Sequence, residues 1–143
     1  HDVRLWPNLL SVRVDQSLYF ANARYLEDFI INALAVNKDV KHVVLICSAV
    51  NEIDASAIDS LEAINMRLQA MGVQFHLSEV KGPVMDRLDR IDFCAALTGR
   101  LFLSHYAAVK ALADGPGYMS APVGKTASDA RVAIIKQAEQ QES

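Results

Sequence analysis

The chain has 143 residues, a length that favours one domain over two. It carries 14 Lys+Arg against 17 Asp+Glu, a formal charge of -3, which gives no support to a nucleic-acid surface. Apolar residues make up 52% and charged residues 22%, which excludes a disordered segment, and a domain of this size needs no disulfide or metal staple.

Leu9 to Val14 is apolar and β-branched and predicts a strand. Only Asp15-Gln16 separates it from a second short run, Ser17 to Phe20, so the spacing predicts an antiparallel hairpin between these two runs. Ala21 to Asn37 carries Leu26, Phe29, Ile30, Ala33 and Leu34 at helical spacing, with Asn22 as the expected N-cap. Val40 to Cys47 ends in a continuous apolar run, the pattern of a central parallel strand covered on both faces. A second helix is expected from Ala55 to Met71. Its stripe is Ile58, Leu61, Ile64, Leu68 and Met71, Asp54 is its N-cap, and Gly72 takes the left-handed position after its end. Val73 to Val80 alternates as a strand. Gly82-Pro83 opens a short helix with Val84, Leu88 and Ile91 inward and Asp86, Arg87, Asp89 and Arg90 outward. Leu101 to Leu103 is a brief strand, and Ser104 caps a last core helix through Leu112. This order predicts an α/β fold: a mixed sheet that starts with an antiparallel hairpin, followed by βα units whose helices pack on the sheet.

From Ala113 onward the composition shifts, with Gly115-Pro116-Gly117, Pro122 and Gly124. The expected division is a domain at 1–112, with its core from about residue 6, and a linker and tail at 113–143 with a helix at 129–141. No apolar run approaches the roughly 18 to 20 residues that cross a bilayer, and the first residues lack the apolar core of a signal peptide. The start lacks Met, which suits a fragment of a longer protein.

Nothing in the sequence assembles catalytic, cofactor-binding or metal-binding chemistry. His1, His42, His76 and His105 accompany neither a G-x-S-x-G elbow nor an H-E-x-x-H helix. Cys47 and Cys94 are far apart and form no C-x-x-C. Asp86, Asp89 and Asp92 interleave with Arg87 and Arg90 and read as a solvated face. The one G-x-G holds Pro116, which lacks an N–H for a phosphate. One stretch remains, Asn51 to Leu61, where Asn51, Asp54, Ser56 and Asp59 gather between the central strand and the next helix. Loops at the carboxyl ends of such strands commonly carry function. A phosphoryl group on Ser56 would gain from the helix N-terminus. The plainer reading is that Asp54 caps the helix and Ser56 fills its first turn.

Read with its surroundings, this stretch resembles the STAS domain, the module shared by sulfate transporters and anti-sigma-factor antagonists. The resemblance runs from Trp6 to about Leu112. It is most specific at Trp6-Pro7-Asn8-Leu9-Leu10-Ser11-Val12-Arg13-Val14-Asp15 and at Tyr19-Phe20-Ala21-Asn22-Ala23, which look like the start of the cytoplasmic domain of SulP-type anion permeases. The resemblance implies a non-enzymatic, cofactor-free domain at the cytoplasmic face of the inner (plasma) membrane. It implies a transporter of sulfate, bicarbonate or dicarboxylates. The expected partners are the transmembrane domain of the same polypeptide, a second copy in a homodimer, and a cytosolic regulatory protein. In the antagonists the matching loop resembles Asp-Ser-Ser/Thr-Gly, with a phosphorylated serine. Here those positions are Asp54, Ala55, Ser56 and Ala57, which leaves Ser56 as the candidate phosphorylation site. The second reading is accordingly a free antagonist switched by phosphorylation of Ser56.

Overall fold

The antiparallel hairpin forms one strand earlier than the apolar runs predict. In the computed structural model, which describes residues 2–113 and 121–122, β1 (Asp2–Leu5) pairs with β2 (Leu9–Arg13), from Asp2↔Arg13 to Leu5↔Leu10. Trp6-Pro7-Asn8 makes the turn, and the Trp6 N–H donates to the Leu9 carbonyl at 2.8 Å. Pro7 presets its own φ for such a turn. Val3 and Leu5 enter the core while Arg4 between them is exposed, the period-two pattern of a half-buried strand. Ser17 to Phe20 is not the second strand of a hairpin. Asp15-Gln16 lacks the positive-φ residues of a two-residue turn. Leu18 instead makes a single parallel bridge to Ile53, and α1 (Phe20–Val36) follows at once. Asn22 is therefore inside the helix rather than its N-cap. Its side chain still serves the helix start, accepting from the Tyr19 N–H at 2.8 Å and donating to the Ser17 carbonyl at 2.7 Å.

After the hairpin the βα units follow the expected order. They are β3 (His42–Ile46), α2 (Ala55–Ala70), β4 (Gln74–Ser78), α3 (Gly82–Asp89), a one-turn α4 (Phe93–Ala96), β5 (Leu101–Phe102) and α5 (His105–Leu112). A two-residue β6 (Ala121–Pro122) pairs antiparallel with β1. The sheet order is β5-β4-β3-β2-β1-β6, parallel from β2 through β5. The apolar run of β3 thus lies between two parallel neighbours. Asp54 caps α2 by accepting from the Ala57 N–H at 2.7 Å, Gly72 takes φ 75 after its end, and Ser104 caps α5. Ile91, expected on the inner stripe of α3, falls past the helix end and is exposed.

Alternation along the strands divides the sheet into two faces. Leu10, Val12, Val43, Leu45, Phe75 and Leu77 form one core with α1 and α2, which contribute Leu26, Phe29, Ile30, Leu61, Ile64 and Leu68. Leu9, Val44 and Ile46 point the other way and form a smaller cluster with Trp6 and with Ala108 of α5. The Asn8 amide ties down the end of α5, donating to the Leu112 carbonyl at 2.7 Å. Among the described residues no helix is long and apolar enough to cross a membrane. Apart from Ala113 and β6, the expected linker and tail, with the helix at 129–141, lie outside the described residues.

Candidate functional site

The loop after β3 is fixed by the connector that precedes α1. The Ser17 hydroxyl oxygen accepts from two successive backbone N–H groups, Asn51 at 3.3 Å and Glu52 at 3.0 Å. The Leu18 N–H donates to the Glu52 carbonyl at 3.0 Å, and the Asp54 N–H donates to the Leu18 carbonyl at 3.2 Å. The Tyr19 hydroxyl then donates to Glu52 Oε2 at 2.8 Å. That bond to a carboxylate raises the Tyr19 pKa, because losing the proton would set two negative charges together. From the far side Lys81, just before α3, donates from Nζ to Asn51 Oδ1. These anchors leave an open cleft of about 390 Å3 between Tyr19, the 51–54 loop and the α3 residues Pro83, Val84 and Arg87.

Of the four residues the sequence singles out, the structure places Asn51 and Asp54 in the cleft lining. Ser56 and Asp59 stand exposed on the first turns of α2, outside that lining. Asp54 Oδ1 is occupied by the Ala57 N–H, so the helix cap described from the sequence is present. The Ala57 side chain is buried, pointing into the core rather than toward the cleft. Tyr19, Glu52 and Arg87 complete the polar lining, and Lys81 supports it from behind through Asn51. No single motif announces them, because they come from three segments that only the fold brings together. The Trp-Pro-Asn turn was the one available signal, since moving the hairpin there frees Ser17 to Tyr19 to lie against the loop.

The cleft offers carboxylates, a guanidinium, an amide and a phenol around an apolar strip from Pro83 and Val84. Such a rim suits recognition of a polypeptide surface by hydrogen bonds and charge pairs about a small apolar centre. Among the described residues no group of three or more His, Cys, Asp or Glu side chains converges as a metal site. Burial pushes the Cys47 thiol up to about 12 and also raises that of Cys94, so neither is an activated thiolate.

A second polar group sits at the other end of the sheet. The Arg100 N–H donates to His76 Nδ1 at 2.9 Å, which leaves the proton of a neutral ring on Nε2. That nitrogen faces His42 Nδ1 at 3.1 Å and donates to it. Burial, then the neighbouring His42 and Arg100, lowers the His76 pKa to about 4. His105 is likewise lowered to about 4, by burial and then by Arg4 and Arg13, while its Nε2 is hydrogen-bonded to Ser11 Oγ at 2.9 Å.

The family model described as the STAS domain matches residues 2–108. Sulfate transporter 3.1 of Arabidopsis thaliana is 30% identical over a 119-residue alignment, which covers 76% of this chain and 18% of that protein. The chain therefore spans less than a fifth of the length of that curated relative. The SulP transporter STAS domain from Vibrio cholerae superposes with a TM-score of 0.62 at 18% identity, covering 75% of this chain and 82% of that one. The anti-sigma factor antagonist SpoIIAA in its unphosphorylated form superposes at 0.55 and 11% identity, covering 75% of this chain and 91% of that one. At these identities the structural matches establish the fold.

Proposed function

The chain belongs to the STAS domain family, and from that premise we propose that it is the cytoplasmic domain of a SulP-type secondary anion transporter, of the sulfate, bicarbonate or dicarboxylate class. The observation that carries this reading is the relationship to sulfate transporters of which the matched stretch is only 18%. In such a protein the stretch is a module attached to a much larger remainder. The domain has a regulatory, assembly or protein-interaction role and no catalysis of its own. Its first partner is the transmembrane domain of the same polypeptide, at the cytoplasmic face of the membrane. A homodimer contact and a cytosolic regulatory protein are the further partners. The cleft bounded by Tyr19, Asn51, Asp54 and Arg87 is the contact surface.

The decisive test is the reading frame that contains this chain. Roughly ten or more apolar spans of about 20 residues upstream are expected. A short frame without them overturns the reading and favours a free antagonist phosphorylated at Ser56, which stands exposed at the start of α2. In the full transporter, Tyr19→Phe and Asn51→Ala are expected to lower anion uptake several-fold at unchanged protein level. Uptake equal to wild type in both variants would remove the cleft from the contact surface.

A further inference from the structure

β5 closes one side of the sheet and has β4 as its only neighbour there among the described residues. It bonds to β4 through alternate residues. The Leu77 N–H donates to the Arg100 carbonyl at 3.2 Å, and the Glu79 N–H donates to the Phe102 carbonyl at 3.0 Å. Alternation turns the backbone groups of Leu101 and Leu103 outward. Among the described residues neither leucine makes a backbone hydrogen bond on that side. The side chains around this edge are apolar and open: Leu101 is 40% exposed, Tyr106 74% and Leu103 96%. From Leu97 to Val109 the only Asp, Glu, Lys or Arg is Arg100. Natural sheets blunt an open edge with charge or proline, and neither stands at Leu101-Phe102-Leu103.

We propose that this edge pairs antiparallel with the same edge of a second copy of the chain, about a twofold axis at Phe102. The register selects that occupant. It sets Leu101 opposite the partner's Leu103, so every outward N–H meets an outward carbonyl, and leucine packs on leucine across the junction. It sets Arg100 opposite the partner's Ser104, so the two guanidiniums lie about 14 Å apart along the strands, beyond the screening length. The half-exposed Glu79 sits beside Phe102 and Leu103 on β4. Each Arg100 therefore comes to the end that holds the partner's Glu79, about two strand spacings or 10 Å away, and the ends complement each other in charge. The ladder is short and its contact falls below the roughly 1,200 Å2 of a stable interface. The dimer therefore fills at high concentration, or where two copies are tethered side by side. This surface is separate from the cleft, and the proposal does not rest on the transporter reading.

The test is a dilution series of the 143-residue chain from about 1 mM, followed by sedimentation and amide NMR. A reversible dimer is expected, with concentration-dependent shifts and slowed amide exchange at Leu101 and Leu103. Leu103→Lys, checked for an unchanged melting temperature, is expected to weaken association about tenfold, since it removes both cross-strand leucine pairs. Mixing Leu103→Lys with Leu101→Glu sets Lys opposite Glu and is expected to restore pairing. Mixing it with Leu103→Glu leaves each new charge opposite a leucine and is expected to restore little. A chain that stays monomeric at the highest concentration overturns the proposal. So do shifts that cluster away from β5, association that Leu103→Lys leaves intact, or equal rescue by the two glutamate variants. If the chain is monomeric and phosphatidylglycerol vesicles alone slow these amides, the exposed leucines meet a membrane surface and the self-pairing is wrong.

Discussion

The two faces of the sheet are built on different terms. Among the described residues, twenty-nine buried ones join the face under α1 and α2 into one apolar cluster, against five in the cluster under α5. The first face is sealed by two long helices that cross-link through Arg67 and Glu27 at 2.9 Å. The second carries His42, His76, Ser78, Ser11 and His105 among its few apolar residues, and the Ser78 hydroxyl is buried with no partner among the described residues. Apolar burial is non-directional and tolerant, whereas buried polar groups depend on particular hydrogen bonds and protonation states. The first face should therefore fail through lost volume, and the second through lost geometry or added acid.

The largest expected effect tests volume. Phe29 is fully buried under α1, and Phe29→Ala should cost about 4 kcal/mol in urea unfolding. A loss under about 1 kcal/mol would mean that the α1 face is not the main source of stability. Geometry comes next. A Cβ on Gly99 would run into His76 Nδ1 and the Phe75 carbonyl oxygen, and the backbone oxygen cannot step aside. Gly99→Ala should cost about 3 kcal/mol and break the Arg100–His76 contact, visible as a changed His76 ring tautomer by NMR.

Acid distinguishes the faces further. An unfolded histidine takes a proton near 6.5, whereas His76 and His105 hold out to about 4. The unfolded chain thus binds more protons between these values, and stability falls as pH drops from about 6.5 to 4. At about 1.4 kcal/mol per pH unit, buried His76 alone accounts for a loss on the order of 3 kcal/mol. The half-buried His105 adds less. Chemical unfolding at pH 7, 5.5 and 4 measures this, and a flat profile would remove the histidines from the account. The smallest effect is at the tether of α5. Asn8→Ala should cost about 1 kcal/mol and speed amide exchange in α5 while leaving α1 protected. Equal acceleration in both helices would show that the two faces open together.

The sealed face was far more legible in the sequence than the polar one. Leu26, Phe29, Ile30, Ala33 and Leu34 announce α1 by spacing alone, and Asp54 and Gly72 mark both ends of α2. These signals are local, and the structure keeps them. β1 escaped because Asp2 and Arg4 break the apolar pattern of a four-residue strand. Ser17 to Phe20 looked like a strand because Leu18 has a strand's environment, a bridge to Ile53, without a strand's length. The cleft was half legible. Asn51 and Asp54 belong to the loop that the sequence singles out, but Tyr19 and Arg87 reach it only through the packing of distant segments. The histidine pair was hidden for the same reason: neighbouring parallel strands set His42 against His76, 34 residues apart.

The pairing of β6 with β1 bears on how the molecule behaves in company. A sheet that ended at β1 would present a row of unpaired N–H and C=O groups, a template for another chain. Ala121 and Pro122 occupy that row opposite Val3 and Asp2. Pro122 has no N–H, so the strand that covers the edge is poorly suited to extend it. A chain cut after Ala113 would keep both faces of its sheet and lose this guard. Its failure would appear as self-association through bared strands, growing with concentration, before any loss of fold.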